Sequence, residues 1–149
     1  MANETTNSET PDAIFARAAQ RARQMGLPYA GAVTPAEAQA LAQSSVAKIL
    51  DVRTVPEYQQ VGHVPGTPLI VWPRDGAQQD YQAFVDGVSG QFEPAQPLLL
   101  LCRSGARSHH AAHLLTQAGF QRAYNILEGF EGAQPGQGWR AAGLPWEQG

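Results

Sequence analysis

The sequence predicts an α/β fold, a parallel sheet with helices on both faces, and three observations carry that prediction. Short apolar runs alternate with longer amphipathic stretches along the chain, the pattern of strands joined by crossover helices. The run Leu98–Leu101 is apolar at every position, as a strand covered on both faces must be. Helix start and stop residues bracket several of the amphipathic stretches. A length of 149 residues suits one domain.

Taken in order, residues 1–10 are polar and expected to be disordered. Thr10 as N-cap, Pro11 in the first turn and Gly26 as the stop predict an extra N-terminal helix over Pro11–Met25. Ile14, Phe15, Ala18, Ala22 and Met25 share one of its faces. Leu27–Gly31 reads as a linker, so residues 11–30 form a helix and linker and residues 31–149 the main domain. Thr34 and Glu37 form a capping box for a helix to about Gln43. Strands are expected at Ala47–Val52, Leu69–Trp72, Leu98–Leu101 and Ala123–Ile126, with helices over Tyr81–Val88 and Ala106–Ala118.

Composition excludes several functions. Ten basic against 13 acidic side chains, a net charge of −3, argue against a nucleic-acid partner. No apolar run approaches the roughly 18–20 residues of a membrane span, and the N-terminus has neither the basic start nor the apolar core of a secretory signal. The expected compartment is the cytoplasm, where a thiol stays reduced. A single cysteine, Cys102, allows no internal disulfide, no multi-thiolate zinc site and no resolving thiol.

Cys102 follows the apolar run Leu98–Leu101 and opens the loop Arg103-Ser104-Gly105-Ala106-Arg107 before a helix. Ligands bind at the carboxyl ends of strands in such sheets. A tight loop entering a helix turns backbone N–H groups toward one centre, and the helix dipole adds positive potential. With Arg103 and Arg107 nearby, the setting favours thiolate over thiol at Cys102. The thiolate is the nucleophile, so the loop describes an activated sulfur in an anion site.

At this point the sequence resembles the rhodanese family of sulfurtransferases. Asp51-Val52-Arg53 with Glu57-Tyr58, Gly62-His63-Val64-Pro65-Gly66, the loop Cys102–Ser108, and Ala118-Gly119-Phe120 with Tyr124–Gly129 are similar to its motifs, in the same order. Trp139 and Gly143-Leu144-Pro145-Trp146 resemble the end of the family's domain. The resemblance implies a rhodanese-like fold and a ping-pong reaction. Cys102 takes sulfur from a small anionic donor such as thiosulfate and passes it from a persulfide to cyanide, a thiol or a protein acceptor. No cofactor beyond that persulfide is implied. The same resemblance gives the N–H groups of residues 103–107 the task of stabilising the persulfide, and Arg103 and Arg107 that of attracting the donor.

Competing uses of the loop are a non-catalytic rhodanese-like binding module, a cysteine-dependent phosphatase and an arsenate reductase. Binding modules usually lack the cysteine. Phosphatase loops are one residue longer, whereas only four residues separate Cys102 from Arg107. Arsenate reduction would need a thiol from another molecule. Asp51, Arg53, Glu57 and His63 are expected to support the strand ends and turns, because transfer from a thiolate needs no general base. His109, His110 and His113 lack a nearby carboxylate to complete a metal site and read as a surface cluster. The tryptophans Trp72, Trp139 and Trp146 are expected in or near the core. Gly132–Gly138 reads as an insertion, either a flap or a surface loop. The N-terminal helix is compatible with a monomer or a homodimer.

Overall fold

The structure, a computed structural model, describes residues 9–149. The disorder expected of residues 1–8 lies outside the described residues, while Glu9 and Thr10 are engaged. Thr10 Oγ1 accepts from Ala13 N at 3.2 Å and caps α1 (Pro11–Met25), and Glu9 pairs with both terminal nitrogens of Arg17. Four strands, β1 (Gly31–Val33), β2 (Lys48–Asp51), β3 (Leu98–Leu101) and β4 (Ala123–Ile126), form one parallel sheet in the order β1-β4-β3-β2. Between and after them lie α2 (Pro35–Gln43), α3 (Gln78–Ser89), α4 (Ala106–Gln117) and the short α5 (Gly138–Ala141). The α/β class expected of the sequence, a parallel sheet with helices on both faces, is what the chain adopts.

The apolar run of β3 explains the layering. Strand side chains alternate between faces, so Leu99 and Leu101 join Ile14, Ala18, Leu41 and Trp139 in one core. Leu98 and Leu100 join Phe84, Val88, Ala111 and Leu115 in the other. All four leucines are fully buried, and each contributes roughly 1.5–3 kcal/mol relative to exposure. Helices α1 and α2 cover the first face, α3 and α4 the second.

Two expectations need correction. The segment assigned to a linker runs directly into β1, which pairs with β4 from Gly31 opposite Tyr124 to Val33 opposite Ile126. Three residues are too few to show a period. Gly31 sits so close to α1 that a Cβ there would meet Ala18 O at 2.5 Å, which ties the N-terminal helix to the sheet. Conversely, Leu69–Trp72 is not a ladder strand. Leu69 bridges Asp51, and Ile70 N and Trp72 N donate to Asp51 O and Val52 O, but Pro68 and Pro73 stop the pairing at both ends because neither has an N–H to give. Of the tryptophans, Trp139 is fully buried, whereas Trp146 is exposed at the surface.

The capping box of α2 is present in both halves, with Glu37 N donating to Thr34 Oγ1 at 3.2 Å and Thr34 N to Glu37 Oε1 at 2.9 Å. Glu37 also accepts from Arg17 Nε and Arg21 Nη1, each at 2.7 Å, so one carboxylate caps α2 and holds α1. Burial opposes its charge, but Arg21, the Thr34 N–H and Arg17 together bring its pKa down to about 2. A carboxylate with a lowered folded-state pKa stabilises fully above its unfolded value and loses that contribution as pH falls. Glu37→Gln is expected to lose about 1–3 kcal/mol at neutral pH in chemical denaturation. The difference from wild type should shrink between pH ~4.3, the unfolded value, and pH about 2. A gap constant across that window would sink the assignment.

Candidate functional site

Cys102 stands immediately after β3, and its side chain is 1% exposed. Gly105 N donates to Cys102 Sγ at 3.1 Å, and Ser108 Oγ lies 3.3 Å from the same sulfur. The first N–H groups of α4, which begins at Ala106, have no partner along the helix and face its N-terminal end, as at any helix start. The structure thus brings Cys102, Gly105, Ala106 and the start of α4 to one place at the carboxyl edge of the sheet.

The loop is held open by what lies behind it. Phe130 N donates to Cys102 O at 2.8 Å, and Glu131 N and Gly132 N both donate to Arg103 O, at 2.9 and 3.1 Å. These bonds turn the loop carbonyls away from the sulfur. They require Gly129, where a Cβ would meet Cys102 O and Arg103 O at 2.5 Å and where φ is +65°. Beneath the segment, Arg53 places its guanidinium 4.4 Å from the Phe130 ring centroid. Arg53 is itself fixed by Asp51 in a fully buried pair, Nη2–Oδ2 2.7 Å, and donates to Gly62 O at 2.7 Å. Asp51 and Arg53 therefore support the site without touching the sulfur.

The remaining expected residues divide clearly. Glu57 takes both terminal nitrogens of Arg107, at 2.7 and 2.8 Å. That guanidinium, with burial opposing and Thr54 helping, holds the Glu57 carboxyl at about 2. Glu57 in turn raises Arg107. The free cationic mouth expected from two arginines is thus corrected: Arg107 is neutralised by Glu57, and Arg103, 62% exposed, lies 3.5 Å from Glu131. Ser104 lies in the loop between them, half-buried. His63 stacks on Tyr58 with ring centroids 3.9 Å apart, bonds Tyr58 O through Nδ1, and approaches Glu147 at 3.3 Å. It closes the turn onto the C-terminal segment.

Two residues of the site, Ser108 and Asn125, fall inside the motif stretches but receive no role from the sequence. Asn125 on β4 donates from Nδ2 to Gly105 O at 3.1 Å, so its Oδ1 faces Ser108 and accepts that hydroxyl at 2.5 Å. Ser108 therefore turns a lone pair to Cys102. The motifs alone do not show their pairing, because Ser108 and Asn125 meet from elements 17 residues apart in the chain. His109 bonds Tyr29 OH through Nδ1 at 2.7 Å while its ring stays edge-on to His110, 5.3 Å away. Among the described residues no group of three or more His, Cys, Asp or Glu side chains is placed to hold a metal ion. The Gly132–Gly138 loop is tied at its base, with Gly138 N donating to Glu128 Oε1 at 2.9 Å.

Gly129→Ala is expected to cost about 1–2 kcal/mol from the positive φ alone, with a further ~1–3 kcal/mol from overpacking. The same change should slow alkylation of Cys102 by iodoacetamide. Unaltered denaturation and alkylation would show that the loop does not depend on this contact.

The pattern of the Rhodanese-like domain family matches residues 34–134. A protein of uncharacterised function from Rickettsia conorii is 35% identical over 102 residues, covering 66% of this chain and 81% of the relative. The thiosulfate sulfurtransferase GlpE of Actinobacillus pleuropneumoniae is 27% identical over 118 residues, covering 77% of this chain and 91% of GlpE. Among solved structures, Rv0390 from M. tuberculosis superposes with a TM-score of 0.67 at 37% identity, covering 81% of this chain and 99% of that one.

Proposed function

The chain belongs to the rhodanese-like domain family, and from that premise we propose that it is a sulfurtransferase of the thiosulfate type. The carrying observation is the position of Cys102 Sγ, which accepts the Gly105 N–H inside a loop whose carbonyls are bonded away from it. Cys102, as thiolate, attacks the outer sulfur of thiosulfate. The new S–S bond forms as the old one breaks, and sulfite leaves with the electron pair. The persulfide then carries its negative charge on the outer sulfur, where the dipole of α4 and the loop N–H groups stabilise it. An acceptor nucleophile attacks that outer sulfur and returns Cys102 as thiolate. Nothing in this sequence needs a general base, which agrees with Glu57 and Asp51 being committed to arginines. A reducing cytoplasm suits such a thiol. Among the described residues no helix is long and apolar enough to cross a membrane.

Wild-type protein incubated with thiosulfate is expected to gain one sulfur atom by intact mass, and Cys102→Ser to gain none. Sulfur transfer surviving in Cys102→Ser, or phosphate-ester hydrolysis with no sulfur gain, would overturn the reading. Arg103 is the exposed cation of the loop. Arg103→Ala is expected to raise KM for thiosulfate about two- to fivefold, the scale of a solvent-screened charge. Loading from an uncharged trisulfide should change less. An equal effect on both donors would remove Arg103 from donor attraction.

A further inference from the structure

The N–H that meets Cys102 belongs to Gly105, a residue with φ +103° and ψ −4°. Glycine enters that region freely, and it has no side chain to hold it there. Gly105 is held instead by its carbonyl, which accepts from His109 N at 3.2 Å and from Asn125 Nδ2 at 3.1 Å. Both donors lead to one residue outside the loop. The His109 ring bonds Tyr29 OH through Nδ1 at 2.7 Å, and the Asn125 side chain hydrogen-bonds the same hydroxyl. Tyr29, His109, Gly105 and Asn125 thus close a ring of hydrogen bonds around the start of α4. Tyr29 and Asn125 are buried, and Tyr29 packs in the same apolar cluster as Cys102. The next residue, Ala30, fixes Tyr29 beside β4 by donating from its N–H to Ala123 O at 3.0 Å.

Each proton in the ring has one consistent place. Asn125 gives one amide N–H to Gly105 O and the other to Tyr29. The Tyr29 oxygen is then an acceptor, and its own proton goes to His109 Nδ1, which must be unprotonated. Burial favours that state by pushing His109 below its ordinary value, and His110 and His113 push the same way. Burial also raises the Tyr29 phenol, with the Asn125 amide offsetting part of the rise, so the hydroxyl keeps a proton to give.

We propose that Tyr29 and His109 are positioning residues for sulfur transfer, which act through Asn125 and the Gly105 carbonyl to keep the Gly105 N–H on Cys102 Sγ. The inference rests on the sulfurtransferase reading and brings into it a residue that precedes the stretch matched by the family, residues 34–134. Neither side chain touches the sulfur. Their effect belongs to the discharge step, in which the acceptor attacks the outer sulfur, the S–S bond to Cys102 breaks and Cys102 leaves as thiolate. A donor already aimed at Sγ stabilises that charge as it appears.

The test uses the full chain, loaded with thiosulfate, freed of excess donor and mixed with cyanide. Tyr29→Phe is expected to lower the saturating rate of discharge about three- to tenfold, the scale of one hydrogen bond. The cyanide concentration giving half that rate should not move. His109→Leu removes the acceptor for the Tyr29 proton and should lose a similar factor. His109→Asn, whose Oδ1 takes the place of Nδ1, should recover most of it. Because both side chains act through one ring, Tyr29→Phe combined with His109→Leu should be no slower than the slower single variant. Denaturation midpoints separate lost positioning from lost fold, and the half-buried His109 carries the comparison if Tyr29→Phe does not fold. Wild-type discharge in Tyr29→Phe and His109→Leu, equal losses in His109→Leu and His109→Asn, or losses that multiply in the double variant overturn the proposal. Alkylation by iodoacetamide, at a pH where Cys102 is only partly thiolate, reads the same contact without a sulfur donor. It should slow in Tyr29→Phe and His109→Leu and recover in His109→Asn, because the lost thiolate outweighs the gain in nucleophilicity. If wild type gains no sulfur, the sulfurtransferase reading fails, and the alkylation series still decides for or against the ring.

Discussion

A backbone loop can present N–H groups to an anion only if its carbonyls have somewhere else to go. In this protein they go to the segment after β4, where the N–H groups of Phe130, Glu131 and Gly132 donate to the carbonyls of Cys102 and Arg103. Each such bond contributes only about 0.5–1.5 kcal/mol net, but their direction is what matters for chemistry. With these two carbonyls fixed behind, the backbone meets Cys102 Sγ through the Gly105 N–H. The absence of a side chain at Gly129 lets the two backbones approach. The Arg53 guanidinium under Phe130 fixes the height of the segment, and the buried Asp51 fixes Arg53. A residue at the end of β2 thus bears on the orientation of a loop at the end of β3 without contact with the Cys102 sulfur.

The same logic explains where charge is kept. A buried ion pair is costly to desolvate and costly to break, so the Asp51–Arg53 pair is tolerated because its members also bond Arg53 N and Gly62 O. Arg107 is treated likewise. Its bidentate contact with Glu57 makes it a strut between α4 and the turn at Glu57–Val61. It is no free counter-charge at the loop. Anion stabilisation at Cys102 therefore falls to fixed backbone dipoles, which need no reorganisation when the charge appears. Mobile positive charge is found further out, on Arg103 at the rim and on Arg74 beside α4.

Much of this was legible in the sequence, for identifiable reasons. The helices announced themselves through caps: Thr10 and Gly26 bracket α1, and Thr34 with Glu37 opens α2. The four consecutive leucines of β3 gave away a strand covered on both faces. Cys102 and its loop stood out because glycine and arginines surround one cysteine at a strand end. What failed to show was whatever depends on partners distant in the chain. β1 is three residues long and is a strand only because β4 lies beside it. Leu69–Trp72 has a strand's composition, yet its prolines limit it to one bridge. The arginines near Cys102 looked free because Glu57 and Glu131 lie some tens of residues away in the sequence.

Asn125 shows how such a distant residue constrains the Cys102 sulfur. The Gly105 carbonyl can only accept, so the Asn125 amide must present its NH2 there and its oxygen to Ser108. That oxygen takes the one hydroxyl proton Ser108 has. Ser108 then meets Cys102 as an acceptor, 3.3 Å from Sγ, a contact that suits an S–H. Once the sulfur has lost its proton it has nothing to donate, and Ser108 can help it only by turning its hydroxyl away from Asn125. The Gly105 N–H, by contrast, already points at the sulfur and serves thiol and thiolate alike without moving. The backbone is therefore the constant term at this site, and the Ser108–Asn125 pair is the part that must respond when the charge of Cys102 changes.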